Sequence, residues 1–75
     1  MMRDKILEVL KAENEELVED LNRDLLESGI LDSFDIVNLV VALEEALGIS
    51  IDVEMVSPEN FQTAESIIRM IEGIA

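Results

Sequence analysis

The sequence predicts a small all-α domain. Its 75 residues allow one hydrophobic core and leave no room for a second. A chain of this length is near the lower limit at which a core offsets the entropy lost on folding. Hydrophobic residues make up 49% of the chain but only two residues are aromatic, so Leu, Ile, Val and Met must fill the core. These residues recur at helical spacing. We therefore predict a single helical domain over residues 1–75.

The first predicted helix covers residues 3–12, with three apolar residues on one face: Ile6, Leu7 and Leu10. No Gly or Pro interrupts residues 1–28, so helix propensity alone leaves the end of this helix open. The chain from Ala12 to Leu31 is predicted to be a long ordered loop with a turn at Gly29. Four of its apolar residues are expected to fold back onto the core: Leu25, Leu26, Ile30 and Leu31.

Within this loop, Asp20, Asn22 and Asp24 have the spacing of the first ligands in a calcium-binding helix–loop–helix site. Such a loop requires Gly at its sixth position and a bidentate Glu at its twelfth. This chain has Leu25 and Leu31 at those positions. We therefore predict no metal site here.

The second predicted helix begins at Asp32 or Ser33, both favourable N-cap residues, and ends at Gly48. A helical projection at about 100° per residue predicts a core face of four residues: Ile36, Val40, Leu43 and Leu47. Leu39 and Ala46 are predicted to lie beside that face. Three apolar residues fall well off it and are predicted to be exposed; we name them the apolar strip: Phe34, Val37 and Val41.

The apolar strip shares its side of the helix with Asn38, Glu44 and Glu45. From Asp24 to Glu65 the chain has ten acidic residues and no basic one, so an exposed strip with this rim favours positively charged partners. The alternative is that another element covers the strip, as neighbouring helices of a small bundle can do. Nucleic acid is not an expected partner, because the net charge is −13 and phosphate backbones are bound by Lys and Arg.

The last third of the chain is predicted to begin with an extended loop after Gly48. Apolar residues alternate at 49–53 as in a strand, but no second strand is available to pair with them. Ser57 before Pro58 predicts a short helical turn that ends at Asn60–Phe61. Thr63 is predicted to cap a final helix over 64–74. Its apolar face comprises Ile67, Ile68, Ile71 and Ile74, with Met70 beside it.

The residue types restrict the chemistry. The chain has no Cys and no His, so disulfides, thiolate metal sites and histidine-dependent catalysis are not expected, and we predict a protein that is not an enzyme. No apolar run approaches the ~18 residues of a membrane span, and the N-terminus has no signal-peptide core. A soluble, cytoplasmic monomer is predicted.

Ser33 is the residue that the sequence marks for a possible modification. Its hydroxyl lies at the start of a helix, where free N–H groups and the helix dipole would stabilise a phosphate ester. A simple helix cap also explains Asp32 and Ser33, and it is the commoner case for a bare Asp-Ser before an apolar run. The residues taken alone leave both explanations open.

The segment Leu26–Phe34, with Val37, Leu39-Val40, Leu43-Glu44-Glu45 and Gly48, resembles the acyl carrier and peptidyl carrier family, and Pro58–Phe61, Thr63 and Glu65–Ile67 extend the resemblance to about residues 3–73. It implies a four-helix bundle with a short third helix and a long loop between helices one and two. It also implies that a phosphopantetheinyl transferase attaches 4′-phosphopantetheine from coenzyme A to Ser33. The thiol of that group would carry acyl or aminoacyl groups as thioesters.

The resemblance also implies roles for individual residues. Asp32 and Ser33 would form the attachment site. Basic grooves of partner enzymes would contact seven residues: Phe34, Asp35, Val37, Asn38, Val41, Glu44 and Glu45. Three inward-facing residues would shelter an acyl chain: Ile36, Val40 and Leu43.

The sequence allows more than one cargo and more than one set of partner enzymes. The first interpretation is an acyl carrier of fatty-acid, polyketide or related biosynthesis, served by a loading ligase, synthase or transferase. Phe34 and Asn38 depart from many fatty-acid carriers, which have Leu and an acid there. The spacing of Ile49–Ile67 is similar to that of D-alanyl carrier proteins, so an aminoacyl carrier loaded by a standalone adenylating ligase is the alternative. An unmodified helical interaction module is the alternative from another class.

Overall fold

A computed structural model describes residues 2–74 of the chain. Its helices are α1 (Met2–Glu13), α2 (Glu16–Glu19), α3 (Ser33–Leu47), α4 (Pro58–Phe61) and α5 (Ala64–Ile74), with a 3₁₀ turn at Val53–Met55. No strand occurs among the described residues. The all-α class and the bundle with a short helix before the last one are therefore confirmed. The first and last residues of the predicted domain, Met1 and Ala75, lie outside the described residues.

The core is aliphatic except for one ring. Helix α1 packs against both α3 and α5, and α4 packs against α5. Fully or nearly fully buried residues come from every helix and from the loops: Ile6, Leu10, Leu17, Leu25, Leu31, Leu39, Leu43, Ile51, Phe61, Ala64, Ile67, Ile68, Met70 and Ile71. Burial of one such large side chain contributes about 1.5–3 kcal/mol. The bundle is therefore held mainly by apolar contacts.

Asn14 ends α1, a boundary that the sequence left open. Its side-chain Oδ1 accepts the N–H of Glu16 at 3.0 Å, and its carbonyl accepts the N–H of Leu17 at 3.0 Å. An Asn side chain that bonds the backbone in this way competes with helical hydrogen bonds. The one-turn helix α2 follows and buries Leu17, so the predicted loop contains a helical turn that the sequence did not predict.

The rest of that loop folds onto the core as predicted. Leu25 and Leu31 are buried, and Leu26 and Ile30 pack against the core while partly exposed. Gly29 has a φ of 81°, a left-handed conformation that favours glycine. This turn directs the chain into α3.

The core face of α3 differs from the projected one. Leu39 and Leu43 are its buried residues, whereas Ile36, Val40 and Leu47 are only partly buried and Ala46 is exposed. The projection weighted all apolar residues alike, but α3 is covered on the side of Leu39 and Leu43. The predicted core face is therefore confirmed at Leu43, and Ile36, Val40 and Leu47 pack against the core from its margin. The prediction that Ala46 lies beside this face is wrong, because Ala46 is exposed.

The C-terminal third agrees with its predicted caps. Gly48 ends α3 with a φ of 65°, and Pro58 is the first residue of α4. The hydroxyl of Thr63 accepts the N–H of Ser66 at 3.0 Å, and the Ser66 hydroxyl accepts the N–H of Thr63 at 3.0 Å. The residues between α3 and α4 form an extended loop as predicted, with one added 3₁₀ turn. Among residues 2–74 no helix is long and apolar enough to cross a membrane.

Candidate functional site

The N-terminus of α3 has a reciprocal cap. Asp32 is the N-cap residue, and its Oδ1 accepts the N–H of Asp35 at 2.9 Å. In return, Oδ2 of Asp35 accepts the N–H of Asp32 at 3.1 Å. Ser33 is therefore the first helical residue, as one of the two predicted boundaries placed it, and it is exposed.

The cap leaves free backbone donors beside the Ser33 hydroxyl. The N–H of Asp35 is bonded to Asp32, and the N–H of Ile36 bonds the Asp32 carbonyl at 3.0 Å. The N–H groups of Ser33 and Phe34, at the first two helical positions, have no acceptor within the helix. Together with the positive end of the helix dipole, these groups suit an anionic phosphate ester on Ser33.

A cleft of about 320 Å³ adjoins Ser33, and we name it the Ser33 cleft. Its walls come from the loop before α3, the first turn of α3 and the segment that enters α4: Leu26, Leu31, Asp32, Ser33, Ile36, Val56, Ser57 and Pro58. This volume lies at the lower end of the range for small-molecule sites. Apolar side chains form most of the wall, so the cleft suits a slender, largely uncharged group.

Hydrogen bonds fix two walls of the Ser33 cleft. Oδ1 of Asp24 accepts the N–H groups of Leu26 at 3.0 Å and Glu27 at 2.8 Å, and its Oδ2 accepts the side-chain amide of Gln62 at 3.0 Å. The side-chain amide of Asn60 donates to the Met55 carbonyl at 2.8 Å, next to Val56. One wall is thereby tied to α4 and the other to Gln62, the residue that ends it.

The predicted acyl-shelter residues are separated by the fold. Ile36 lines the Ser33 cleft, whereas Leu43 is fully buried in the core and Val40 packs at its edge. The cleft residues that the sequence did not indicate are Val56, Ser57 and Pro58. Their contribution depends on how the chain returns past α3, which local sequence signals do not specify.

The apolar strip is exposed as predicted. Phe34 is 81% exposed, Val37 60% and Val41 47%, so the alternative that another element covers the strip is wrong. Asp35, Asn38 and Glu45 are exposed beside it, whereas Glu44 is partly buried. The sequence did not single out a fourth exposed large apolar residue, Val53, which is 81% exposed on the 3₁₀ turn.

The charges of the described residues are unevenly arranged. Arg3 pairs with Glu65 at 2.6 Å and Arg69 with the same carboxylate at 3.4 Å, while Arg23 pairs with Glu19 at 3.8 Å. The hydrogen bond from Arg3 holds the pKa of Glu65 below its ordinary value, and the same bond raises the pKa of Arg3. These ion pairs join no acidic residue at the Ser33 end of α3, so that end keeps its negative character.

This chain is similar to known proteins over nearly its whole length. A family model described as a phosphopantetheine attachment site matches residues 2–71. The D-alanyl carrier protein of Listeria welshimeri serovar 6b is 35% identical over 74 residues, which cover 96% of this chain and 95% of that protein. The D-alanyl carrier protein of Listeria monocytogenes serotype 4a is 34% identical over the same shares. The Bacillus cereus protein of that name is 32% identical over 96% of this chain and 94% of its own length.

Proposed function

The chain belongs to the phosphopantetheine-attachment family of acyl and peptidyl carrier proteins, and from this we propose that Ser33 carries its prosthetic group and that its cargo is an aminoacyl group. The family implies a carrier protein with covalently attached 4′-phosphopantetheine. The observation that carries the assignment to Ser33 is its position: an exposed hydroxyl at the first residue of a 15-residue helix, beside an apolar cleft.

The residues around Ser33 fit this group. The N–H groups of Ser33 and Phe34 would bind the phosphate, and Asp32 holds the first turn in place through its bond to Asp35. Leu26, Ile36 and the other apolar walls of the Ser33 cleft would contact uncharged parts of the arm. When attached, the group supplies a terminal thiol that holds the cargo as a thioester.

Two observations support an aminoacyl cargo over a fatty acyl one. The relatives reported above are all named D-alanyl carrier proteins, so D-alanine is the first candidate. A long acyl chain would need a path past Ile36 into the core, but Leu43 is fully buried and Val40 does not line the Ser33 cleft. An aminoacyl cargo carries an ammonium group, and leaving this charge in water costs less free energy than burying it in an apolar cleft. Such a cargo therefore needs no path into the core.

The proposed partners are a phosphopantetheinyl transferase and an adenylating ligase that loads the thiol. Each would dock a basic surface on the apolar strip and its polar rim, which comprises Asp35, Asn38 and Glu45. The exposure of the strip supports this role, since exposed apolar side chains with an acidic rim favour basic partners. In this proposal the protein is a non-catalytic cytoplasmic carrier.

Intact-mass measurement tests the attachment site. The protein is incubated with coenzyme A and a phosphopantetheinyl transferase that accepts many carriers. We expect the mass of one phosphopantetheine group to be added to the natural protein and to Ser28→Ala, a control at an exposed serine of the preceding turn. Ser33→Ala should gain nothing. An unmodified natural protein, or a gain that survives Ser33→Ala, would contradict the proposal.

A loading assay tests the cargo. The phosphopantetheine form is offered D-alanine, L-alanine or a fatty acid, each with ATP and an adenylating ligase specific for that acid. We expect a D-alanyl thioester that hydroxylamine releases. Loading by the fatty acid alone would favour the fatty-acid interpretation. If the mass measurement shows no added group, so that there is no thiol to load, the unmodified interaction module is favoured.

A further inference from the structure

Glu44 differs from its neighbour Glu45 because its carboxylate bonds the backbone of the segment that follows α3. Its Oε2 accepts the backbone N–H of Ile51 at 2.9 Å. Ile51 is only 8% exposed and belongs to the core. The neighbouring Glu45 is exposed and differs from Glu44 in environment alone.

The main chain of Glu44 contributes to the same structure. Its carbonyl accepts the N–H of Gly48 at 2.9 Å and that of Ile49 at 3.3 Å, in the arrangement that ends helices at a left-handed glycine. Together with the side-chain bond to Ile51, Glu44 therefore accepts three backbone N–H groups at and after the end of α3. Glu44 thus fixes both the reversal and the anchoring of Ile51 in the core.

The segment that Glu44 anchors contributes an exposed apolar residue and part of the Ser33 cleft. It carries Val53, which is 81% exposed on the 3₁₀ turn. It then supplies Val56 and Ser57 to the Ser33 cleft. A displacement of Ile51 would therefore alter an exposed apolar residue and a wall of the cleft together.

We infer that Glu44 is a positioning residue that holds the segment Ile49–Ser57 in place as a hydrogen-bond acceptor, and that Glu45 is the acid of this turn that faces partners. A basic partner side chain that withdrew the Glu44 carboxylate would leave the N–H of Ile51 buried without an acceptor, which is costly. The assignment to Glu44 rests on geometry alone, whereas the role of Glu45 rests on the proposed carrier function.

Amide hydrogen exchange of the unmodified protein tests the positioning role. We expect the Ile51 amide to exchange about tenfold faster in Glu44→Ala than in the natural protein, the order of effect of one lost hydrogen bond. Glu44→Gln should restore slow exchange, because its amide oxygen still accepts. Glu45→Ala, the matched control, should leave Ile51 unchanged.

Three exchange results would overturn the inference. The first is equal Ile51 exchange in Glu44→Ala and the natural protein. The second is equally fast exchange in Glu44→Gln and Glu44→Ala, which would assign the effect to charge. The third needs no variant and applies even if Glu44→Ala does not fold: exchange of Ile51 in the natural protein as fast as that of exposed Ser50.

Transferase kinetics separate the two acids. With coenzyme A and a phosphopantetheinyl transferase, Glu45→Gln should raise the KM for the carrier several-fold, whereas Glu44→Gln should change it much less. An equal rise in both variants would make Glu44 a partner contact and contradict the inference. If the natural protein gains no mass at all, the proposed function fails, while the exchange result still decides the positioning role.

Discussion

Asp32 shows how one side chain prepares the candidate attachment site. Its carboxylate accepts the N–H of Asp35, and Asp35 reciprocates, so two of the backbone donors that a helix start leaves free are satisfied. The N–H groups of Ser33 and Phe34 remain available to a ligand. The cap therefore sets both where α3 begins and which donors surround Ser33.

Substitution of Asp32 should separate its capping role from its charge. Asp32→Ala removes the acceptor for Asp35 and should lower the free energy of unfolding by about 1 kcal/mol. Asp32→Asn keeps a good N-cap oxygen and should stay close to the natural protein. Urea denaturation monitored by circular dichroism measures both, and equal losses in the two variants would show that charge, not capping, stabilises this end of α3.

The loop between α2 and α3 is held by contacts that reach another element. Leu25 donates its N–H to the Gln62 carbonyl at 2.7 Å, and the Asp24 carboxylate accepts the Gln62 side chain. The acidic segment that has the spacing of a calcium loop thus uses Asp24 to order its own backbone against the end of α4. A long loop of this kind is ordered because its polar groups are bonded and its Leu residues are buried.

The Asp24 bonds predict a defined pH dependence. The N–H of Glu27, followed by the Gln62 amide, holds the pKa of Asp24 below its ordinary value, which is about 4 in an unfolded chain. Because the folded-state pKa is lowered, the Asp24 carboxylate stabilises the folded protein at pH values above its unfolded-state pKa. This stabilisation is lost as the pH falls through the folded-state pKa.

Asp24→Asn should therefore lower the urea midpoint at neutral pH. The difference in urea midpoint between this variant and the natural protein should become smaller below about pH 4. Glu27→Gln is the matched control, because it removes a carboxylate from the same loop while its backbone N–H still bonds Asp24. A gap between natural protein and Asp24→Asn that stays constant with pH would contradict the assignment.

At the scale of the whole molecule, the negative charge opposes the compact state. The net charge of −13 reflects 18 acidic and five basic residues, and the three ion pairs of the described residues use only Glu65 and Glu19 as acids. The remaining acids repel one another across a small surface. This repulsion is the cost of a surface suited to basic partners.

Salt should therefore raise the melting temperature, because it screens repulsion between exposed charges. The double variant Glu13→Gln, Glu45→Gln removes two exposed acids from the last turns of α1 and α3, where the helix dipole also disfavours them. We expect it to melt a few degrees higher than the natural protein at low salt and to respond less to added salt. Lys11→Gln removes an exposed positive charge from the last turn of α1, where the helix dipole favours it, and should melt lower. A melting temperature unaffected by salt in all three proteins would show that the acids are too dispersed to matter.

The sequence by itself determined the features that depend on neighbours along the chain. The caps at Asp32 and Thr63 and the left-handed Gly48 set helix ends through bonds between residues at most a turn apart. The exposure of Phe34, Val37 and Val41 followed from helical periodicity because those residues lie far from the core side of α3. The motif around Ser33 likewise predicted the family, since it is a contiguous segment with fixed downstream spacing.

Only the tertiary structure decided which apolar residues of α3 are covered and what surrounds Ser33. Leu39 and Leu43 are the residues of α3 that are buried in the bundle, in which α1 packs against α3, while Ile36 opens onto the Ser33 cleft. Val56 and Pro58 reach that cleft because the chain turns back after α3, a path fixed in part by the Glu44 bond to Ile51. A periodic pattern gives the side of a helix that is apolar, but the packing partner that covers it and the loop bonds that place distant residues beside it arise only when the whole chain folds.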